Sequence, residues 1–121
     1  MSNLDFIDIK NAFTVAHRQN PADTQVLLSL GVLMFLQRDF AMAKLYFAKA
    51  IKEDPLNHSL WNKYGAACAQ LLETDKSIQA YKLAIDLRPN YVRTIVNLGL
   101  SHNNQANFQA GANCFLNALV L

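Results

Sequence analysis

Gly31, Gly65 and Gly99 stand thirty-four residues apart. Pro21, Pro55 and Pro89 keep the same interval, and so do Ala50, Ala84 and Ala118. Three residue types sharing one period restrict the chain to a stack of like units. Such a stack has no single central core, because each unit buries its apolar face against its neighbour. Apolar residues make up 52% of the chain, more than a solvated linker carries, so that burial must happen.

Within the period the apolar residues recur at spacings of three and four, which is the signature of helices. Phe6, Ile9, Phe13 and Ala16 form one stripe, predicting a helix from Ser2 to Gln19 that Asn20-Pro21 stops. In the repeat frame Phe13, Ala16 and Pro21 match Phe47, Ala50 and Pro55. The chain is thus expected to open on the second helix of a unit whose first helix is missing, as a piece of a larger protein does. Asp23 can cap a helix over Thr24 to Gln37, and Asp39 one over Phe40 to Glu53. Asp54-Pro55 ends the latter, since the residue before proline is pushed out of helical geometry. Asn57 caps a helix from His58 to about Leu72; Glu73 or Thr74 opens the next, about Asp75 to Leu87. The last pair is expected at Val92–Gln105 and Phe108–Leu121.

Each unit is then two antiparallel helices. A glycine inside a helix costs about 1 kcal/mol against alanine, so three at one register imply contacts that exclude a side chain. Gly31, Gly65 and Gly99 are expected to face Ala43, Ser77 and Gly111, and Phe47, Tyr81 and Phe115 to fill the space between neighbouring units.

Trp61-x2-Tyr64-Gly65-x2-Cys68, Ser77-x3-Tyr81 and Pro89 resemble the tetratricopeptide repeat, as do Leu27-x2-Leu30-Gly31-x2-Met34, Ala43-x3-Phe47 and Pro55. The resemblance implies an all-α tetratricopeptide repeat superhelix, three repeats preceded by one helix of a fourth. The expected segments are 1–20, 24–57, 58–91 and 92–121, the last truncated at its C-terminus.

Several function classes are disfavoured. The net charge of +2 and the lack of any Lys/Arg run leave no nucleic-acid footprint. Met1 to Lys10 has neither the basic nor the apolar part of a signal peptide. His17, His58 and His102 sit at different registers, and Cys68 and Cys114 form no metal or redox motif. His102 and both cysteines take core positions, the cysteines as reduced thiols. No nucleophile with a base can be named, so the expectation is no enzyme, no metal and no cofactor.

Binding is the alternative. The first helix of each repeat lines the inner surface of a tetratricopeptide array. Its groove-facing positions are Gln25, Leu28, Ser29, Val32, Phe35 and Leu36 in the first repeat. In the second they are Ser59, Asn62, Lys63, Ala66, Ala69 and Gln70, and in the third Arg93, Val96, Asn97, Leu100, Asn103 and Asn104. One wall thus pools Asn62, Lys63, Gln70, Arg93, Asn97 and Asn104 as candidate peptide-binding residues. Asparagine is a mediocre helix former, so several on one helical face ask for a reason. Carboxamides both donate to and accept from a peptide backbone, and a cation can neutralise a terminal carboxylate. Small Ala66 and Ala69 leave room. The set suits an extended peptide with a free C-terminus.

The block Leu60-Trp61-Asn62-Lys63-Tyr64-Gly65-Ala66, with Asn90-Tyr91-Val92-Arg93 through Asn97-Leu98-Gly99 and the Leu30-Gly31-Val32-Leu33 stretch, resembles the C-terminal repeats of the peroxin-5 family of peroxisomal targeting signal receptors. The resemblance implies a groove for C-terminal Ser-Lys-Leu-type peptides, the peroxisomal address. Matched by motif, Asn62, Arg93, Asn97 and Asn104 take the ligand roles. Gln70 stands where the family has asparagine and is longer by a methylene. The implied partners are peroxisomal cargo peptides, with membrane docking proteins engaged through parts outside this chain. The implied location is cytoplasmic, cycling to a peroxisomal or glycosomal membrane. The family completes its groove with repeats and a helical bundle that this sequence does not contain. The isolated chain is therefore expected to bind peptide weakly or not at all, and its apolar Leu116–Leu121 end to favour self-association. A second reading is a scaffold or cochaperone gripping an acidic C-terminus: Lys63, Arg93 and Asn97 suit it, whereas Gln25, Ser29 and Ser59 do not.

Overall fold

The structure, a computed structural model, describes residues 3–120, with side chains from Asp5 onward. Among the described residues there are seven helices and no strand. They are α1 (Asn3–Gln19), α2 (Thr24–Leu36), α3 (Phe40–Glu53), α4 (His58–Gln70), α5 (Thr74–Leu87), α6 (Val92–Asn104) and α7 (Phe108–Leu119). Ser2 and Leu121, expected as helix ends, lie outside the described residues. The chain divides into two compact units, 1–55 and 56–121.

The helix starts follow from side-chain caps. Asp23 accepts from the amides of Gln25 and Val26 at 3.0 and 3.3 Å, Asp39 from Met42 at 3.2 Å, and Asn57 from Ser59 at 3.0 Å. Each bond satisfies an amide the helix itself leaves orphaned. Glu73 opens α5 without a side-chain cap bond, and Tyr91 opens α6 in the same way.

The ends of α2, α4 and α6 come earlier than the apolar pattern predicts. Leu36, Gln70 and Asn104 are each followed two residues later by a left-handed residue, Arg38 (φ 63), Leu72 (φ 61) and Ala106 (φ 59). In the first turn the Asp39 amide donates to Met34 oxygen at 2.9 Å and the Arg38 amide to Phe35 oxygen at 3.0 Å. Glu73 and Leu72 repeat this pair of bonds with Cys68 and Ala69, and Asn107 and Ala106 with His102 and Asn103. This is the Schellman motif, which normally recruits glycine at its left-handed position. None of these turns has one.

In the unit 1–55, α2 buries Leu27, Leu30 and Met34 against Ala43, Phe47 and Ala50 of α3. The α1 stripe of Phe6, Ile9, Phe13 and Ala16 is only half-buried. Phe35, read from sequence as a groove residue, meets Phe40 edge-on at 5.0 Å, while Leu36 is exposed. In the unit 56–121 the core is Leu60, Ala67 and Cys68 of α4, Ile78, Tyr81 and Ala84 of α5, and Ile95 and Leu98 of α6. A buried leucine among these contributes roughly 1.5–3 kcal/mol. Leu116, Leu119 and Val120 at the end of α7 are exposed.

The expectation that the aromatic rings fill the space between neighbouring repeats is incomplete. Each ring lies on the glycine of its own helix pair. A Cβ on Gly31 would stand 2.6 Å from Phe47 Cδ1, one on Gly65 2.6 Å from Tyr81 Cε1, and one on Gly99 2.8 Å from Phe115 Cε1. The ring therefore occupies the volume a side chain would need. Tyr81 also reaches onward, packing with Leu98 of α6. The close approach of Gly99 to Gly111 is observed: a Cβ on Gly111 would lie 3.1 Å from the Gly99 carbonyl oxygen.

Candidate functional site

The candidate residues all fall in the unit 56–121, on α4 and α6. Gly65 lets α4 settle on Tyr81, and Trp61 and Tyr64 meet edge-on at 6.2 Å along the same helix. That packing turns Asn62 toward α6. Asn97 Nδ2 donates to Asn62 Oδ1 at 3.2 Å. Asn62 is 8% exposed, and a buried carboxamide needs such a partner. The bond leaves the Asn62 amide group as donor and the Asn97 oxygen as acceptor. Side by side, they offer both halves of what a peptide backbone requires.

Next to this pair opens a recess of about 360 Å³, lined by Ala66, Ala69, Gln70, Tyr81, Asn97, Leu100, Ser101 and Asn104. Amides and small residues share its lining with Tyr81 and Leu100. Gln70, Asn97 and Asn104 meet here, as the sequence predicts, and Ala66 and Ala69 provide the room. Asn62 joins through its bond to Asn97. Lys63 and Arg93 do not line the recess.

The two cations nevertheless act on each other. Burial and then the Arg93 charge hold the Lys63 ammonium below the ordinary lysine range. Lys63 Nζ donates to Ser59 Oγ at 2.7 Å, a neutral partner that cancels no charge. An anion beside Lys63 and Arg93 would relieve their repulsion.

Two lining residues were missed from sequence. The sequence pattern assigns Tyr81 to packing alone. Burial, then Cys68, push its hydroxyl up to about 12, so it stays a neutral phenol. Ser101 is 2% exposed and bonds to Ser77 Oγ at 3.1 Å. Ser77 gives its own proton to the Thr74 carbonyl at 2.8 Å, so Ser101 is the donor in the pair. The signal was present: Ser101 falls one period after Ala67, and Ser77 one after Ala43. Each is a hydroxyl at a core register, and the structure pairs the two.

Among the described residues no group of three His, Cys, Asp or Glu side chains could hold a metal ion. Neither Cys68 nor Cys114 is in a disulfide among the described residues; the first is buried and the second half-buried. His102 is half-buried, its Nδ1 without a partner. No described helix is long and apolar enough to cross a membrane.

Comparison with known proteins bears on the family. The tetratricopeptide repeat family matches residues 58–91. A solved structure of MamA from Desulfovibrio magneticus superposes with a TM-score of 0.92 over 97% of this chain and 66% of that one, at 17% identity. The chain has the tetratricopeptide-repeat fold. Among curated relatives, the peroxisomal targeting signal receptor of Eremothecium gossypii is 33% identical over 97% of this chain and 21% of its own length. That of Saccharomyces cerevisiae is 31% identical over 91% of this chain and 18% of its own. The resemblance carried by the Trp61-Asn62-Lys63 and Tyr91-Val92-Arg93 blocks thus extends along nearly the whole chain. The chain spans about a fifth of the length of these receptors.

Proposed function

We propose that this tetratricopeptide-repeat chain belongs to an import receptor and binds the C-terminus of targeting peptides of the Ser-Lys-Leu type. The observation that carries the reading is the Asn62–Asn97 amide pair beside the recess formed with Gln70 and Asn104. An extended peptide backbone running along α4 and α6 meets a donor and an acceptor there, whatever its side chains. Lys63 and Arg93 supply positive charge for a terminal carboxylate. Similarity to proteins named peroxisomal targeting signal receptors supports the choice of peptide. No acid, base or nucleophile is assigned a chemical role, and none is needed for recognition.

The test is a titration of isotopically labelled protein followed by amide and side-chain carboxamide resonances, which detects weak binding. A peptide ending Ser-Lys-Leu is expected to move the signals of Asn62, Lys63, Asn97 and Asn104. The same peptide with an amidated C-terminus leaves them in place. Arg93→Ala and Asn97→Ala lose the response while keeping their helical circular dichroism. An equal response to a peptide ending Glu-Glu-Val-Asp would move the reading to a cochaperone-like clamp. No localised response would remove it.

A further inference from the structure

His58 opens α4, Arg88 follows the last turn of α5, and Tyr91 precedes α6. The three meet. Arg88 Nη1 lies 3.3 Å from His58 Nε2. The rings of His58 and Tyr91 meet edge-on with centroids 5.1 Å apart, and the Arg88 guanidinium sits 5.1 Å over the Tyr91 ring. Each group touches the other two.

The chemistry fixes the state of the imidazole. A guanidinium only donates, so His58 must accept through an unprotonated Nε2. The proton of the neutral ring then sits on Nδ1, which is buried and meets no partner. The surroundings discourage a second proton. Burial, then Arg88 from the α5–α6 connection, then Lys63 one turn along α4, all hold His58 below its ordinary value of 6.5. Tyr91 presents a ring to it, not a charge.

The cluster stands where a cap is missing. Asn57 fastens the start of α4 by a side-chain bond, whereas Tyr91 occupies the same position before α6 and makes none. The start of α6 is held instead through the Tyr91 ring. Arg93, one of the two cations of the candidate site, comes two residues later.

We propose that His58, Arg88 and Tyr91 form an acid-released latch that holds the first turn of α6, and with it Arg93, against α4. A second proton on His58 turns Nε2 from acceptor to donor. The Arg88 bond is then lost, and two like charges face each other at contact distance. Arg88 leaves the cluster, Tyr91 loses the cation on its face, and the uncapped turn loosens. The latch stands on its own geometry; only its effect on peptide binding rests on the function proposed above.

The test is a resonance titration of the free chain from mildly alkaline to mildly acidic pH, without peptide, so the outcome does not depend on the ligand. The His58 ring signal is expected to titrate with a midpoint below 6.5. The backbone amides of Tyr91, Arg93 and Thr94 are expected to move with that same midpoint. Arg88→Gln raises the His58 midpoint toward 6.5, and His58→Gln abolishes the acid movement of the α6 amides. A wild-type midpoint at or above 6.5, α6 amides indifferent to it, or a midpoint unmoved by Arg88→Gln would each overturn the latch.

Discussion

Gly65→Ala is the sharpest test of how α4 is held. In an isolated helix the change stabilises by about 1 kcal/mol, because alanine loses less backbone freedom. Here the new Cβ would lie 2.6 Å from Cε1 and 2.8 Å from Cδ1 of Tyr81. The ring cannot swing away freely: it is 3% exposed and packed with Ile78 and Leu98. Forcing a methyl into such a site costs about 1–3 kcal/mol. The difference leaves Gly65→Ala destabilising by up to about 2 kcal/mol, read as a lower urea midpoint in far-ultraviolet circular dichroism. The decisive arm is a second background. Tyr81→Val removes Cδ1, Cε1 and Cζ, the three atoms nearest the new methyl. There Gly65→Ala should stabilise by about 1 kcal/mol, a coupling of about 1–3 kcal/mol across the cycle. If Gly65→Ala stabilises by the full ~1 kcal/mol of an isolated helix with Tyr81 present, the ring does not explain the glycine. An unchanged penalty in the Tyr81→Val background would refute the argument equally.

Three further changes test separate features. Thr94 is 1% exposed and its hydroxyl has no partner, so Thr94→Val, of like shape, should stabilise the chain by about 1 kcal/mol in the same urea assay. Leu72 is 86% exposed and left-handed. Leu72→Gly relieves about 1–2 kcal/mol of backbone strain against about 0.4–1 kcal/mol of added unfolded-state freedom, and should raise the thermal midpoint. Lys63 sits with its ammonium held down by burial and Arg93. The folded state therefore takes up this proton less readily than the unfolded chain, and stability is expected to rise as pH climbs toward 10.5. Lys63→Met, which keeps the stem, should raise the urea midpoint at neutral pH, flatten that rise, and remove the response to a peptide carboxylate.

What could be read in the sequence was whatever rests on local chemistry. Asp23, Asp39 and Asn57 marked helix starts because a short polar side chain before an apolar run has one good use there. Pro55 and Pro89 marked the ends of α3 and α5. The ends of α2, α4 and α6 were misplaced because Arg38, Leu72 and Ala106 take a conformation that side chains normally advertise with glycine. The function of Gly31 and Gly65 was half legible. Their register required an excluded side chain, but which neighbour excluded it depends on the crossing of two helices, and the ring rather than the small residue does so. The candidate site shows the same division. Helical spacing placed Asn62 and Asn97 on one wall, yet nothing in spacing says that Asn62 is buried or that the two amides bond each other. Ser101 escaped notice because one hydroxyl at a core register looks like any small residue until Ser77 is seen opposite it.

The Asn62–Asn97 bond has a consequence for the speed of exchange. Before any peptide arrives, the oxygen of one amide is already engaged by the nitrogen of the other. The side chains are thus held in place, and little ordering remains to be done on contact. An incoming backbone can use the free donor and acceptor at once. If it also competes for the bond between them, it replaces one hydrogen bond by another of similar strength. Discrimination then comes from geometry, while net affinity stays moderate and departure stays fast. For a receptor of the proposed kind, which must surrender each cargo before taking the next, a groove that closes its own hydrogen bond when empty favours release as much as capture.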